Sequence, residues 1–100
     1  MNGVERIAEA FSARSGSAAL MPYMMACYPN EQASVSIGLA CAAAGADLLE
    51  VGVPYSDPLA DGPVIHAAAT AALEAGATVA KSLEVVSQLA QEIPVVVMCY

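Results

Sequence analysis

The sequence is poor in positive charge. Arg6, Arg14 and Lys81 are its only Lys or Arg residues, against ten acidic ones, and the net charge is −7. That excludes sequence-independent nucleic-acid binding, which relies on many Lys and Arg contacts to phosphate. It also leaves no basic surface for anionic lipid. Histidine is scarcer still. His66 stands alone, so a His-based metal site lacks its ligands and no metal is expected. Cys27, Cys41 and Cys99 are odd in number, widely spaced and form no C-x-x-C pair. They fit a reducing compartment, with Cys41 as a core residue on a helix face. No apolar run approaches the ~20 residues of a membrane span. The N-terminus mixes Glu5 and Glu9 with Arg6 and Arg14, unlike a signal or transit peptide. The expected location is therefore the cytoplasm. There is no obvious glycine-rich phosphate cradle. A phosphorylated substrate stays open all the same, because a helix N-terminus can bind phosphate without lysine.

What is abundant is apolar surface. The chain is 58% hydrophobic and 13% charged, which excludes disorder. Much of the apolar content is alanine, which favours close helix packing over a bulky core. Its 100 residues have room for one small domain, spanning 1–100.

The stretch Gly45–His66, GADLLEVGVPYSDPLADGPVIH, organises the rest. An apolar run, Leu48–Val53, leads into a loop, Pro54–Pro63, that carries Asp57 and Asp61. Glu50 is the misfit in the run, since a charge in a buried strand costs several kcal/mol unless paired or neutralised. Strand alternation puts Leu49, Val51 and Val53 on one face, and Leu48, Glu50 and Gly52 on the other. The first face suits packing under helices. The second sets a carboxylate beside a glycine, with open space next to it and towards the C-terminal end of the strand. In a parallel α/β barrel that face is the interior, and barrel enzymes keep their chemistry at that end. Two readings of Glu50 stand at this point: a catalytic acid, or a structural carboxylate paired with an arginine or sitting at a frayed strand end.

The flanking segments read as alternating helices and strands. Asn2–Arg14 is an amphipathic helix with Val4, Ile7, Ala8 and Phe11 on one face, covering the bottom or outer wall of a barrel. Asn2 caps it, with Glu5 placed to complete a capping box. Ala19–Ala26 is a first strand, despite Pro22, which cannot donate to a ladder. Met21, Tyr23 and Met25 share one of its faces; Met24 and Met25 are core filler. Tyr23 is either core or a flat wall for an aromatic ligand. Asn30 caps a helix over Glu31–Ala44, with a small-residue stripe of Ala33, Ile37, Ala40, Cys41 and Ala44, ended by Gly45. Pro63 opens a helix to Ala75, with Ile65, Ala68, Ala69 and Ala72 on one face. Thr78 caps a helix over Val79–Glu92, with Val79, Leu83, Val86 and Ala90 on one face. Ile93–Tyr100 is the third strand. Strands alternating with helices imply a parallel sheet. The expected fold is α/β, the N-terminal part of a (β/α)8 TIM barrel with three of its strands. Such barrels typically run to about 250 residues.

Glu50 and Asp61 lie eleven residues apart, one on the strand and one on the loop above it, so both can face one cavity. Two carboxylates in different environments are a common way to divide acid and base work. Asp57, before a proline, also reads as an ordinary turn or capping aspartate.

The segment EVGVPYSDPLADGPVI closely resembles the signature of the tryptophan synthase alpha subunit family. MPYMMACYP, AGAD, EAGAT and IPVVVMCY agree with that family in order and spacing, so the resemblance covers nearly the whole chain from about Ala19. It implies retro-aldol cleavage of indole-3-glycerol phosphate to indole and glyceraldehyde 3-phosphate, a lyase step of tryptophan biosynthesis. It implies Glu50 as the acid–base group, and Asp61 as the partner of the indole N–H. Tyr23, Leu59, Ala60 and Tyr100 then wall the indole site. Pro54 and Asp57 then face a beta subunit in an alpha2beta2-type complex. Pyridoxal phosphate belongs to that partner, and this subunit needs no cofactor. Two other readings remain: an incomplete fragment that only binds the beta subunit, and a related phosphate-binding barrel with another substrate. The departures from the family pattern are Met25 and Cys27, in place of threonine and glycine, and His66, in place of glutamine.

Overall fold

The computed structural model describes residues 1–100. The order of elements is α1 (Gly3–Ser12), β1 (Tyr23–Met25), α2 (Glu31–Ala43), β2 (Leu49–Gly52), α3 (Pro63–Glu74), α4 (Val79–Ala90) and β3 (Val95–Met98). The three strands form one parallel sheet in the order β1-β2-β3. The expected alternation of helices and parallel strands is therefore present, with β2 at the centre and β1 and β3 as open edges.

The helix ends follow from local chemistry. At α1, the Glu5 N–H donates to Asn2 Oδ1 and the Asn2 N–H donates to Glu5 Oε2, both at 2.9 Å, which completes the expected capping box. Asn30 caps α2 by accepting from the Ala33 N–H, and Thr78 caps α4 by accepting from the Lys81 N–H. Pro63 takes the first position of α3, where a missing N–H costs nothing. Gly45 closes α2 at φ +109°, with the Ala46 N–H reaching back to Cys41 O and its own N–H to Ala42 O. That left-handed turn favours glycine, which has no Cβ to clash.

Two strands are shorter than their extended sequences. Pro22 accepts from the Glu50 N–H at 2.9 Å but has no N–H to return, so the β1 ladder starts at Tyr23 rather than near Ala19. Pro94 likewise accepts from the Leu49 N–H and donates nothing, so β3 starts at Val95 rather than Ile93.

The main core cluster joins Leu49 and Val51, on one face of β2, with Met25, Ala26, Cys27, Ala69, Ala72, Val85, Leu89 and Ile93. The α3 face through Ala69 and Ala72 is the expected one. The α2 and α4 faces are not. In α2 the buried positions are Ser34 and Gly38, while Ile37, Ala40 and Ala44 are exposed. In α4 they are Ser82, Val85 and Leu89, while Val79 and Leu83 are exposed. Close approach decides both faces. A Cβ on Gly38 would lie 2.5 Å from Leu89 Cδ2, so only glycine lets the two helices sit this near. The buried serines are satisfied locally: Ser34 Oγ donates to Glu31 O and accepts from the Cys27 N–H, and Ser82 Oγ donates to Thr78 O.

The apolar face of α1 is also not buried: Val4 is 78% and Phe11 53% exposed. The helix lies by the N-terminal ends of β2 and β3, across an open cleft of about 410 Å³ lined by Arg6, Glu9, Ala13, Asp47 and Pro94. The 3.4 Å Arg14–Asp47 ion pair ties its following turn to the start of β2. This is the bottom of the sheet, as expected for a barrel.

Two outcomes follow from this packing. Gly38→Val should lower stability in urea unfolding by about 1–3 kcal/mol, as overpacking typically does, although valine is the better helix former. The 100-residue chain on its own exposes two strand edges together with Val97, Met98 and Tyr100. It should self-associate in light scattering at micromolar concentration; a cooperatively unfolding monomer would contradict this.

Candidate active site

The register of the sheet builds the site. Tyr23 of β1 and Val96 of β3 flank Glu50, and Met25 and Met98 flank Gly52. Paired residues in neighbouring strands project to the same side, so Tyr23, Glu50 and Val96 form one row on the face opposite Leu49 and Val51. Leu49 and Val51 are fully buried on the other face, as alternation requires.

Glu50 is the second of the four β2 residues, so it sits lower in the strand than its place in the apolar run suggested. The run ends early because Val53 leaves the strand and enters the loop. The Glu50 side chain is half-buried and makes no hydrogen bond or ion pair within the chain. One of the chain's three cations is committed elsewhere. Arg14 pairs with Asp47, whose carboxylate also accepts from the Leu20 N–H at 2.8 Å.

The space beside Glu50 is not empty. A Cβ on Gly52 would overlap Tyr23 Oη, so the phenol hydroxyl occupies the notch that the glycine leaves. Burial raises the Tyr23 pKa above its ordinary value of 10.0, and the charges of Asp61, Glu50 and Tyr100 raise it further, in that order. These four side chains therefore share one electrostatic neighbourhood, although they come from β1, β2, the β2–α3 loop and the end of β3. Asp61 is half-buried. The Tyr100 hydroxyl accepts from the Ala60 N–H at 3.2 Å. Loss of surrounding water raises the Tyr100 pKa, the Ala60 N–H lowers it, and Asp61 raises it again.

The other sequence candidates lie on the same loop. Pro54 and Pro58 are buried and anchor it, while Asp57 and Ala60 are exposed. Leu59 stands 87% exposed at the loop tip. One participant was not anticipated. Tyr55 stacks on Tyr100, with ring centroids 5.4 Å apart and planes inclined by 22°. Its only signal in the sequence is an aromatic residue next to a proline at the mouth of the loop. Cys27, a departure in place of glycine, lies two residues beyond β1 at φ +65°, a left-handed conformation in which glycine is the unstrained choice. Its thiol is buried 3.9 Å from Ser82 Oγ, and burial raises its pKa.

Against this geometry, the family model for the tryptophan synthase alpha chain matches residues 10–100. The chain belongs to the tryptophan synthase alpha chain family. It is 47% identical over 102 aligned residues to the alpha chain of Gluconobacter oxydans, covering 97% of this chain and 38% of that one. It is 52% identical over 89 residues to the alpha chain of a Synechococcus strain, covering 87% of this chain and 33% of that one. A crystal structure of tryptophan synthase from M. tuberculosis superposes with a TM-score of 0.90 at 40% identity, over 95% of this chain and 40% of that one. The chain thus spans little more than a third of the length of its alpha-chain relatives, and its sheet corresponds to the N-terminal part of the family's TIM barrel.

The raised Tyr23 pKa has a checkable sign. The folded state holds the phenol proton more tightly than the unfolded state does. The associated stability is therefore fully present below the ordinary value near 10 and is lost as pH rises through the folded-state pKa. Tyr23→Phe should accordingly lose less stability than the parent between neutral pH and strong alkali, as read by urea unfolding at each pH.

Proposed function

We propose that these residues form part of a lyase that cleaves indole-3-glycerol phosphate to indole and glyceraldehyde 3-phosphate. The observation that carries this reading is the pairing of Tyr23 with Glu50 on the sheet face opposite Leu49 and Val51, with Asp61 next to the residue that bonds the Tyr100 hydroxyl. Family membership supplies the substrate and the reaction.

The chemistry divides between the acids. Indole C3 must gain a proton so that its bond to the glycerol carbon can break with the electron pair returning to the ring. The hydroxyl on that carbon must lose its proton as the aldehyde forms. Glu50, on the strand, is the acid–base group for these transfers. Asp61, on the loop, accepts from the indole N–H and stabilises the positive charge that develops on the protonated ring. Tyr23 and Tyr100 wall the flat ring, with Leu59 and Ala60 at the rim. The step requires no redox change and no electron sink, so no cofactor is assigned to this subunit. Asp57, exposed on the loop that Pro54 anchors, is the residue we assign to contact with a beta subunit, which would carry the pyridoxal phosphate. A cytoplasmic location follows from a biosynthetic role, and no helix is long and apolar enough to cross a membrane.

For the 100 residues taken alone, the open sheet edges favour a second reading, binding to the beta subunit without turnover. Beta-subunit activation by the isolated chain, with no indole released, would select it.

The deciding experiment measures indole release by the full-length protein that carries these residues. Glu50→Gln should lower kcat by about 10²–10⁴-fold, the range for loss of a positioned acid–base group. Asp61→Asn should abolish detectable release while leaving the urea midpoint near that of the parent. Retained activity in Asp61→Asn would remove Asp61 from its role.

A further inference from the structure

Apart from the buried rings of Pro54 and Pro58, the β2–α3 loop is held by few hydrogen bonds. Pro54, Pro58 and Pro63 contribute no N–H. From Pro54 to Gly62 the backbone N–H groups make two hydrogen bonds. One is internal, from the Asp61 N–H to Pro58 O at 3.3 Å, and the other runs from the Ala60 N–H to the Tyr100 hydroxyl at 3.2 Å. The Tyr100 hydroxyl is thus where this loop bonds to the segment that follows β3, and it meets both the Ala60 N–H and Asp61. Tyr55, at the start of the same loop, lies against the Tyr100 ring at 5.4 Å. The Tyr55 hydroxyl itself bonds to nothing in the chain, so its contribution is the ring.

We propose that Tyr55 and Tyr100 form an aromatic latch that sets the position of Asp61, which makes Tyr55 a positioning residue for the proposed cleavage. The stack fixes the direction of the Tyr100 ring. The fixed ring presents its hydroxyl to the Ala60 N–H, and that bond fixes the backbone from which the following carboxylate projects. Tyr55 need not touch substrate for this. The catalytic consequence rests on the retro-aldol reading; the latch rests on the geometry alone.

The test uses the full-length protein and reads backbone amide exchange at Ala60 together with indole release. Tyr55→Ala should speed exchange at Ala60 about ten-fold and lower kcat by a similar factor, the scale of one aromatic pair, with KM less affected. Exchange at Val51 in the ladder should not change, which separates loss of the latch from general unfolding. Tyr55→Phe keeps the ring and should restore both exchange and kcat. Tyr100→Phe should speed exchange at Ala60 to the same degree, and combining it with Tyr55→Ala should add little. Where Tyr55→Ala folds poorly, Tyr55→Leu keeps apolar bulk without the ring and should behave as the alanine variant does. Parent-like exchange at Ala60 in either Tyr55→Ala or Tyr55→Leu overturns the latch, and so does parent-like kcat in a parent protein that releases indole. If the parent releases no indole, the retro-aldol reading falls, and exchange at Ala60 alone decides the latch.

Discussion

Everything in this molecule depends on the register of β2 between its two parallel neighbours. With four residues it sets two faces. Leu49 and Val51 turn to the helices and are fully buried; Glu50 and Gly52 turn to the other side. A slip of one residue would exchange the faces and push the Glu50 carboxylate into the core. Burying that charge without a partner costs several kcal/mol, and exposing Leu49 and Val51 forfeits about 1.5–3 kcal/mol each. The same pattern that stabilises the sheet therefore fixes where the carboxylate points. Its site geometry is a consequence of packing, and no separate device is needed to orient it.

The helices reach the sheet by small residues. Gly38 lets α2 approach Leu89 of α4. Ser34 and Ser82 are fully buried, yet each hydroxyl donates to a carbonyl three or four residues earlier in its own chain, so neither leaves a polar group unsatisfied. Both also meet Cys27, Ser34 through the backbone N–H and Ser82 through the thiol. The end of β1 is thus pinned between the two helices at the point where the chain leaves the sheet in a left-handed conformation.

Much of this was legible in the residues, and the exceptions have a common cause. Caps at Asn2, Asn30 and Thr78, Pro63 at a first helical position and the glycine end of α2 each depend on a few neighbouring atoms, and each was readable. The facing of Glu50 was readable because it is the one charged residue in β2, between Leu49 and Val51, which share the opposite face. The buried faces of α2 and α4 were not. Their sequences are apolar or small almost all round, so periodicity carries little contrast, and the face is chosen by how closely two helices can approach. The amphipathic α1 was readable as well, since its contrast is strong, although no element of this chain covers Val4 or Phe11. The Tyr55–Tyr100 stack joins residues 45 positions apart, between a loop and a strand end, where no local rule operates.

The two carboxylates differ most in how they are held, and that difference bears on the reaction assigned to them. Glu50 belongs to a strand whose ladder bonds run to both neighbours, and its own N–H donates to Pro22 at 2.9 Å. Asp61 belongs to a loop whose internal bond is 3.3 Å and which bonds to the segment after β3 through a phenol hydroxyl. Proton transfer to carbon demands a fixed donor, because the rate falls steeply as donor and carbon separate or misalign. A hydrogen bond to a ring N–H can be completed after the ring has arrived. In the proposed cleavage, the proton-transfer group stands on the ladder and the N–H acceptor on the tethered loop, so each acid has the restraint that its assigned task requires.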